Sequence, residues 1–261
     1  MLDLSQSIRL FGAVMNISHV LKRFPKKRPI LSKAIKNIYA KQYKENRNGG
    51  SPASSLAQKL EAWMHKKVAT ASPKQQLSFC DTLEIGAGTL NQLPFEFKKG
   101  NYDFIEPLDF LYLDSPYIKN TRNSFSDISN IPSSTLYSRI ISIAVLEHVE
   151  DLPNLIEKCI EHMNEGGVFA CGIPSEGGLL WGLAWRLSTG LEFRIRTGLD
   201  YSELMRYEHL NDADEIEHLL RYYFRDVEVC RFGFGMHFSL YTYIECRNPK
   251  RTKTICLTEV N

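Results

Sequence analysis

The chain has 261 residues, with 32 Lys plus Arg against 30 Asp plus Glu for a net charge of +2, and is 43% hydrophobic and 24% charged. That balance excludes a disordered chain and gives no global charge that would carry it to nucleic acid; the length suits one domain with an appendage, or two small ones. Six cysteines without a C-x-x-C pair read as reduced, packed thiols, so a cytoplasmic compartment is expected, and no stretch approaches the ~18 apolar residues of a membrane span.

Residues 1–75 read as a helical extension. Leu4, Ile8, Phe11, Val14, Met15 and Ile17 recur at helical spacing, and Asp3 and Arg9 interrupt what would otherwise resemble a signal peptide. A second helix is expected over Ile30–Tyr43 and a third over Leu56–Val68, separated by a turn cluster at Asn46–Pro52. From Lys22 to Lys44 there are nine Lys or Arg and no Asp or Glu. Such a run is first a solvated helix face; contact with anionic lipid, a phosphorylated substrate or nucleic acid are the alternatives.

From Thr82 onward, strand and helix patterns alternate over a domain at 76–250, leaving a tail at 251–261. Strands are expected at Thr82–Ile85, Tyr102–Ile105, Arg139–Val145, Val168–Ile173, Val227–Phe232 and Phe238–Cys246. Asp151 is placed to cap a helix whose apolar face is Leu155, Ile156, Cys159, Ile160 and Met163, which Gly166-Gly167 ends. Asp212 and Glu215 have the spacing of a capping box ahead of Ile216, Leu219 and Leu220. The expected fold is α/β: a Rossmann-like, doubly wound, mostly parallel sheet of about seven strands, with the helical extension before it and a helical insert after the fifth strand.

Glycine turns after a strand bring backbone close to a ligand. Here the turn is Gly86-Ala87-Gly88, and Glu106 follows Glu84 by 106 − 84 = 22 residues, where a nucleotide-binding sheet places the carboxylate that grips a ribose. A dinucleotide fingerprint would need glycine where Asn91 stands. Leu83-Glu84-Ile85-Gly86-Ala87-Gly88 instead resembles motif I of class I S-adenosylmethionine-dependent methyltransferases. Four more segments match that family in order: Tyr102–Glu106, Ser126-Asp127-Ile128, Ile141–Val149 and Asn164–Phe169, the last resembling its glycine-glycine turn into the fifth strand. Within that family the chain resembles the type 11 group, and its insert after the fifth strand is loosely similar to methyltransferases of bacterial surface-polysaccharide clusters.

The resemblance implies S-adenosylmethionine as cofactor. It implies that Gly86 and Gly88 pass the methionine part, that Glu106 binds the ribose hydroxyls, that Asp127 and Ile128 meet the adenine, and that Glu84, Ala87 and Ala144 complete the cofactor site. Three features depart from it: Leu90 replaces a third small residue, Arg139 stands where Asp often opens the fourth strand, and Pro94 makes 88–100 a poor helix.

Two histidines are candidate bases for an alcohol acceptor. His148 follows the fourth strand, where base, pocket wall and structural roles all stand open; His209 precedes the helix after the insert. No histidine pair has metal-ligand spacing. The insert, 175–206, interleaves Leu179, Leu180, Trp181, Leu183 and Trp185 with Arg186, Arg194 and Arg196. It reads as a lid, a site for an anionic or lipid-linked acceptor, a peripheral membrane contact, or tryptophans packed on the N-terminal helices. Methylation of a small-molecule or glycan acceptor at oxygen, with nucleotide- or lipid-linked sugars as first candidates, is the leading expectation. A non-catalytic binding module and an RNA or protein methyltransferase are the alternatives, the last without an Asn-Pro-Pro-Tyr-type motif.

Overall fold

The computed structural model describes residues 17–36, 38, 52–73, 79–97 and 99–250. The first expected helix (except Ile17), much of the second, Cys256 and the tail at 251–261 lie outside the described residues. Helix α1 is Ile17–Leu21 and α2 is Pro52–Thr70, longer at both ends than the helix expected at Leu56–Val68.

Seven strands form one sheet: β1 Thr82–Ile85, β2 Tyr102–Ile105, β3 Asn123–Phe125, β4 Tyr137–Ile143, β5 Met163–Pro174, β6 Phe224–Phe234 and β7 Phe238–Pro249. Their order is β3-β2-β1-β4-β5-β7-β6. The first five run parallel, and β7 lies antiparallel between β5 and β6. The doubly wound, mostly parallel sheet is therefore present. β3 is an addition to the expected strands, and Met163, expected on a helix, instead begins β5.

Side chains on a strand alternate between faces, and the apolar runs divide accordingly. Ile140 joins a core with Leu83, Ile85, Phe169, Cys171 and Ile244, covered by helices α3 (Leu152–Glu161) and α7 (Ala213–Tyr223). Ile141 faces the other way, into a smaller core with Tyr102, Val168, Ala170 and Tyr243, closed by Val68 from α2. Gly172 permits that approach, because a Cβ there would stand 3.0 Å from Cβ of Met64. Between β5 and α7 lies the insert: α4 (Leu179–Trp185), a π turn (Arg186–Gly190), α5 (Leu191–Thr197), and then α6 (Tyr201–Glu208). Among the described residues no helix is long and apolar enough to cross a membrane.

Asp151 caps α3 by accepting from the Asn154 N–H at 3.4 Å. The capping box at α7 does not form: Asp212 makes no side-chain cap bond, and Glu215 is engaged by Lys26 and Arg23 instead. The same pairing changes the reading of the basic run. Lys26 donates to the Leu210 carbonyl at 2.7 Å, and Arg28 donates to the carbonyls of Tyr207 and His148, each at 2.7 Å. Three cations of this run therefore strap the extension to the domain, while Lys22, Lys27, Lys33 and Lys36 are exposed, as expected of a solvated face.

Among the described residues the link from β1 to β2 holds a 3-10 turn, Leu93–Phe95, and no longer helix, as the poor helical sequence with Pro94 foretells. Arg139 explains how that link is fastened. Its fully buried guanidinium donates two bonds of 2.7 Å to Glu96 and one of 3.1 Å to the Val68 carbonyl. One side chain on β4 thus ties the link and the end of α2 to the sheet. Losing one partner of such a pair leaves an uncompensated buried charge. Glu96→Ala is expected to lower stability by about 3–5 kcal/mol in chemical denaturation. The double variant Arg139→Met/Glu96→Leu should recover much of that loss.

Candidate active site

The parallel strands end in register, Ile85 beside Ile105 and Ile105 beside Phe125. The residues that follow them, Gly86, Glu106 and Ser126, therefore emerge along one edge of the sheet, with Ala144 leaving the end of β4 next to β1. The strand order reverses between β1 and β4, and such a reversal opens a crevice at the carboxyl ends of the strands.

Gly86 is demanded twice. Its φ is +69°, and a Cβ would stand 2.5 Å from Cγ2 of Val145. The N–H groups of Gly86 and Ala87 donate to the Ile105 carbonyl at 2.8 and 3.1 Å. Gly88, with φ 52°, donates to Oε2 of Glu106 at 2.8 Å, while the Leu108 N–H donates to Oε1 at 3.1 Å. Each carboxylate oxygen accepts about two hydrogen bonds, so both of Glu106 keep acceptor capacity. Leu90 has φ 66° and is fully buried in a small cluster with Ala87 and Phe104, so the large side chain packs under the turn.

Glu84 lies in β1 beneath the turn, where the Tyr102 hydroxyl donates to it at 2.7 Å. Burial pushes its carboxyl from the usual 4.5 up to about 8, with the Tyr102 bond opposing. Asp127 caps a 3-10 turn, Ile128–Asn130, by accepting from the Ser129 N–H at 2.9 Å; Ile128 is buried in the main core. Ala144 holds φ 54°, a strained value for a residue with a Cβ. The structure thus gathers Gly86, Ala87, Gly88 and Glu106 at one turn, with Asp127, Ile128 and Ala144 on the neighbouring loops and Glu84 below them.

Beyond Ala144 a cavity of about 250 Å³ opens between the ends of β4 and β5 and the insert. Ala144, Glu147, His148, Trp181, Trp185 and His209 are among its walls. Trp181 packs on Tyr241 with ring centres 5.8 Å apart, and Trp185 on Tyr201 at 5.9 Å, so both indoles form the cavity wall. The two candidate bases meet here, their rings 5.0 Å apart and nearly perpendicular. His148 Nδ1 lies 2.7 Å from the Glu208 carbonyl, which only accepts, so that nitrogen carries the proton. His209 Nδ1 lies 2.8 Å from Oε2 of Glu176, which also accepts from the Trp181 indole. An ionised Glu176 fixes the same tautomer, leaving Nε2 of His209 with its lone pair.

Two carboxylates here escaped the sequence reading. Glu176 lies two residues past β5 and belongs to no motif. Glu147 sits inside the matched Ile141–Val149 segment yet was not singled out. It is buried, with Oε1 3.8 Å from His148 Nε2 and Oε2 without a hydrogen-bond partner among the described residues. Burial lifts its carboxyl to about 7, opposed by His148. Among the described residues no group of three His, Cys, Asp or Glu side chains is placed to share a metal ion.

No family model and no curated protein matches the sequence. Solved structures do resemble the fold. The plantazolicin methyltransferase BpumL, in complex with a monoazolic desmethylPZN analog and SAH, aligns with a TM-score of 0.55 at 13% identity, over 89% of this chain and 99% of its own. Its complex with a triazolic analog and SAH gives 0.55 at 14% identity, over 88% and 99%. A possible exported protein from Bordetella parapertussis gives 0.54 at 11% identity, over 90% of this chain and 78% of its own. The chain shares with these methyltransferase structures a Rossmann-like α/β fold.

Two outcomes follow from this geometry. Gly86→Ala should cost at least ~1–2 kcal/mol from the left-handed backbone alone, with the Val145 clash adding to it, as read from thermal unfolding. Glu84 binds its proton more tightly folded than unfolded, so its contribution to stability is full below pH 4.5 and is lost as pH rises towards 8. Glu84→Gln keeps an acceptor for Tyr102 and should flatten that slope, gaining about 3 kcal/mol at neutral pH. An unchanged pH profile in the variant would show that Glu84 is not the buried acid responsible.

Proposed function

We propose that the chain uses S-adenosylmethionine to methylate a hydroxyl group on a small-molecule or glycan acceptor, with His209 as general base. The contact between His209 Nδ1 and Glu176, at 2.8 Å in the wall of the cavity beyond Ala144, carries this reading.

The residues at the sheet edge fit the cofactor. Glu106 has spare acceptor capacity on both oxygens for a pair of ribose hydroxyls, and Gly86 and Gly88 present backbone without side chains for the methionine part. Asp127 and Ile128 are assigned to the adenine side, and Glu84 and Ala144 support the turn from below and beside. Bound there, S-adenosylmethionine supplies an electrophilic methyl group and departs as the neutral thioether.

The chain's own task is then alignment and proton removal. The indoles of Trp181 and Trp185 exclude water and flank the acceptor, while Nε2 of His209 takes the hydroxyl proton as the oxygen becomes methylated. Glu176 holds the imidazole in the required tautomer and stabilises the imidazolium that results. His148, with Nδ1–H fixed and Glu147 near Nε2, packs edge-on against His209 in the same wall. Arg23, Lys26 and Arg28 of the basic run are bound to the protein itself, which weakens the case for a nucleic-acid acceptor.

Transfer of a labelled methyl group to nucleotide-linked and lipid-linked sugars tests the proposal. With an accepted substrate, His209→Asn should lower turnover by about 10²–10⁴-fold while leaving S-adenosylhomocysteine affinity unchanged. Turnover close to wild type would remove His209 from the base role. Cofactor binding without transfer to any hydroxylated acceptor would favour a binding module.

A further inference from the structure

The insert is an apolar helix with little protein beneath it. α4, the π turn and α5 follow one another from Leu179 to Thr197, and Phe193 is the only buried residue among them. Leu179, Leu183, Leu187, Leu191 and Ile195 recur every four residues and are 61, 55, 70, 49 and 78% exposed. A step of four residues overshoots an α-helical turn by about 40°, so such a stripe would wind around a regular helix. The wider π turn, bonded i to i+5, takes back part of that drift at its middle.

A second element extends the same face. Phe234 and Phe238, at the tip of the β6–β7 hairpin, are 89 and 61% exposed. The Leu180 N–H donates to the His237 carbonyl at 2.8 Å, which fixes the tip against the start of α4. An open cleft of about 700 Å³ runs between them, with Leu179, Leu183 and Phe238 on its walls, and reaches Trp185 and His209. Apolar surface gathered from two separated segments marks an interaction site rather than scattered exposure.

Its charge indicates what covers it. Residues 179–197 hold Arg186, Arg194 and Arg196, all exposed, against Glu192 alone, a net of 3 − 1 = +2. Arginine heads on apolar stems beside a leucine stripe suit an anionic lipid interface, where the stems lie along acyl chains and the heads reach phosphates. A self-contact through this face would set like charges against each other.

We infer that this face, the helical insert with the hairpin tip, docks on an anionic phospholipid bilayer. The leucines and phenylalanines enter the acyl boundary, the arginines meet the phosphates, and the cleft opens towards the lipid. Docking requires neither cofactor nor turnover, so it stands or falls separately from the proposed methyl transfer.

Co-sedimentation of the full chain with phosphatidylcholine vesicles, with and without phosphatidylglycerol, tests the inference. The wild type should bind the mixed vesicles, more weakly as salt is raised. Arg186→Gln/Arg194→Gln/Arg196→Gln should lose on the order of a hundredfold in partitioning, at roughly fivefold per arginine. Leu183→Glu/Leu187→Glu/Ile195→Glu should abolish binding while its thermal unfolding matches wild type. Absence of wild-type binding to the mixed vesicles would overturn the inference, as would wild-type partitioning by both triple variants. So would a wild-type dimer in light scattering that ignores vesicles and dissociates in the leucine variant, which would make this face a self-interface.

Discussion

Two backbone N–H groups from different connections, Gly88 after β1 and Leu108 after β2, converge on the carboxylate of Glu106. Everything at the edge of the sheet depends on that convergence. Charge-assisted bonds to a nearly buried carboxylate are stronger than neutral ones, and here they set the spacing between two strand ends. The turn also rests on a shape constraint, Val145 against the absent Cβ of Gly86, which joins β4 to the same corner. A carboxylate that already fixes the turn would meet the proposed cofactor in place, so binding would cost little ordering.

The sheet edge is stiff for reasons that lie elsewhere in the chain. The family resemblance implies a helix after β1, and this chain has a 3-10 turn there. α2, which precedes the sheet in sequence, covers that face, and Arg139 with Glu96 clamps the short link beneath it. The two departures at Pro94 and Arg139 are thus one structural solution: remove a helix, then secure what remains with a buried ion pair. The cost is ionisable groups in the core, visible again in Glu84 and Glu147, whose carboxyls burial pushes towards the neutral form.

Much of this was legible in the sequence, and the limits have physical causes. β1, β2 and the glycine turn were readable because short apolar runs ending at glycine or Glu-Pro are local signals. β3 was not: Asn123-Ser124-Phe125 is polar and largely exposed, and it is a strand because Asp103 holds Arg122 and the Asn123 N–H. The basic run was read from composition alone, since Glu215, which pairs with Lys26, is 189 residues away. Glu176 was invisible for the same reason, its partner His209 lying 33 residues on. Asp127 was legible as a loop carboxylate, and the structure adds that it caps the next turn.

Calorimetric titration of S-adenosylhomocysteine into the wild-type protein and into Glu106→Gln tests the central claim most directly. The account predicts micromolar-range binding in wild type that the variant loses, because an amide offers one acceptor oxygen where the site needs two. Failure of the wild-type protein to bind, or equal affinity in the variant, would contradict the assignment of this sheet edge as the cofactor site.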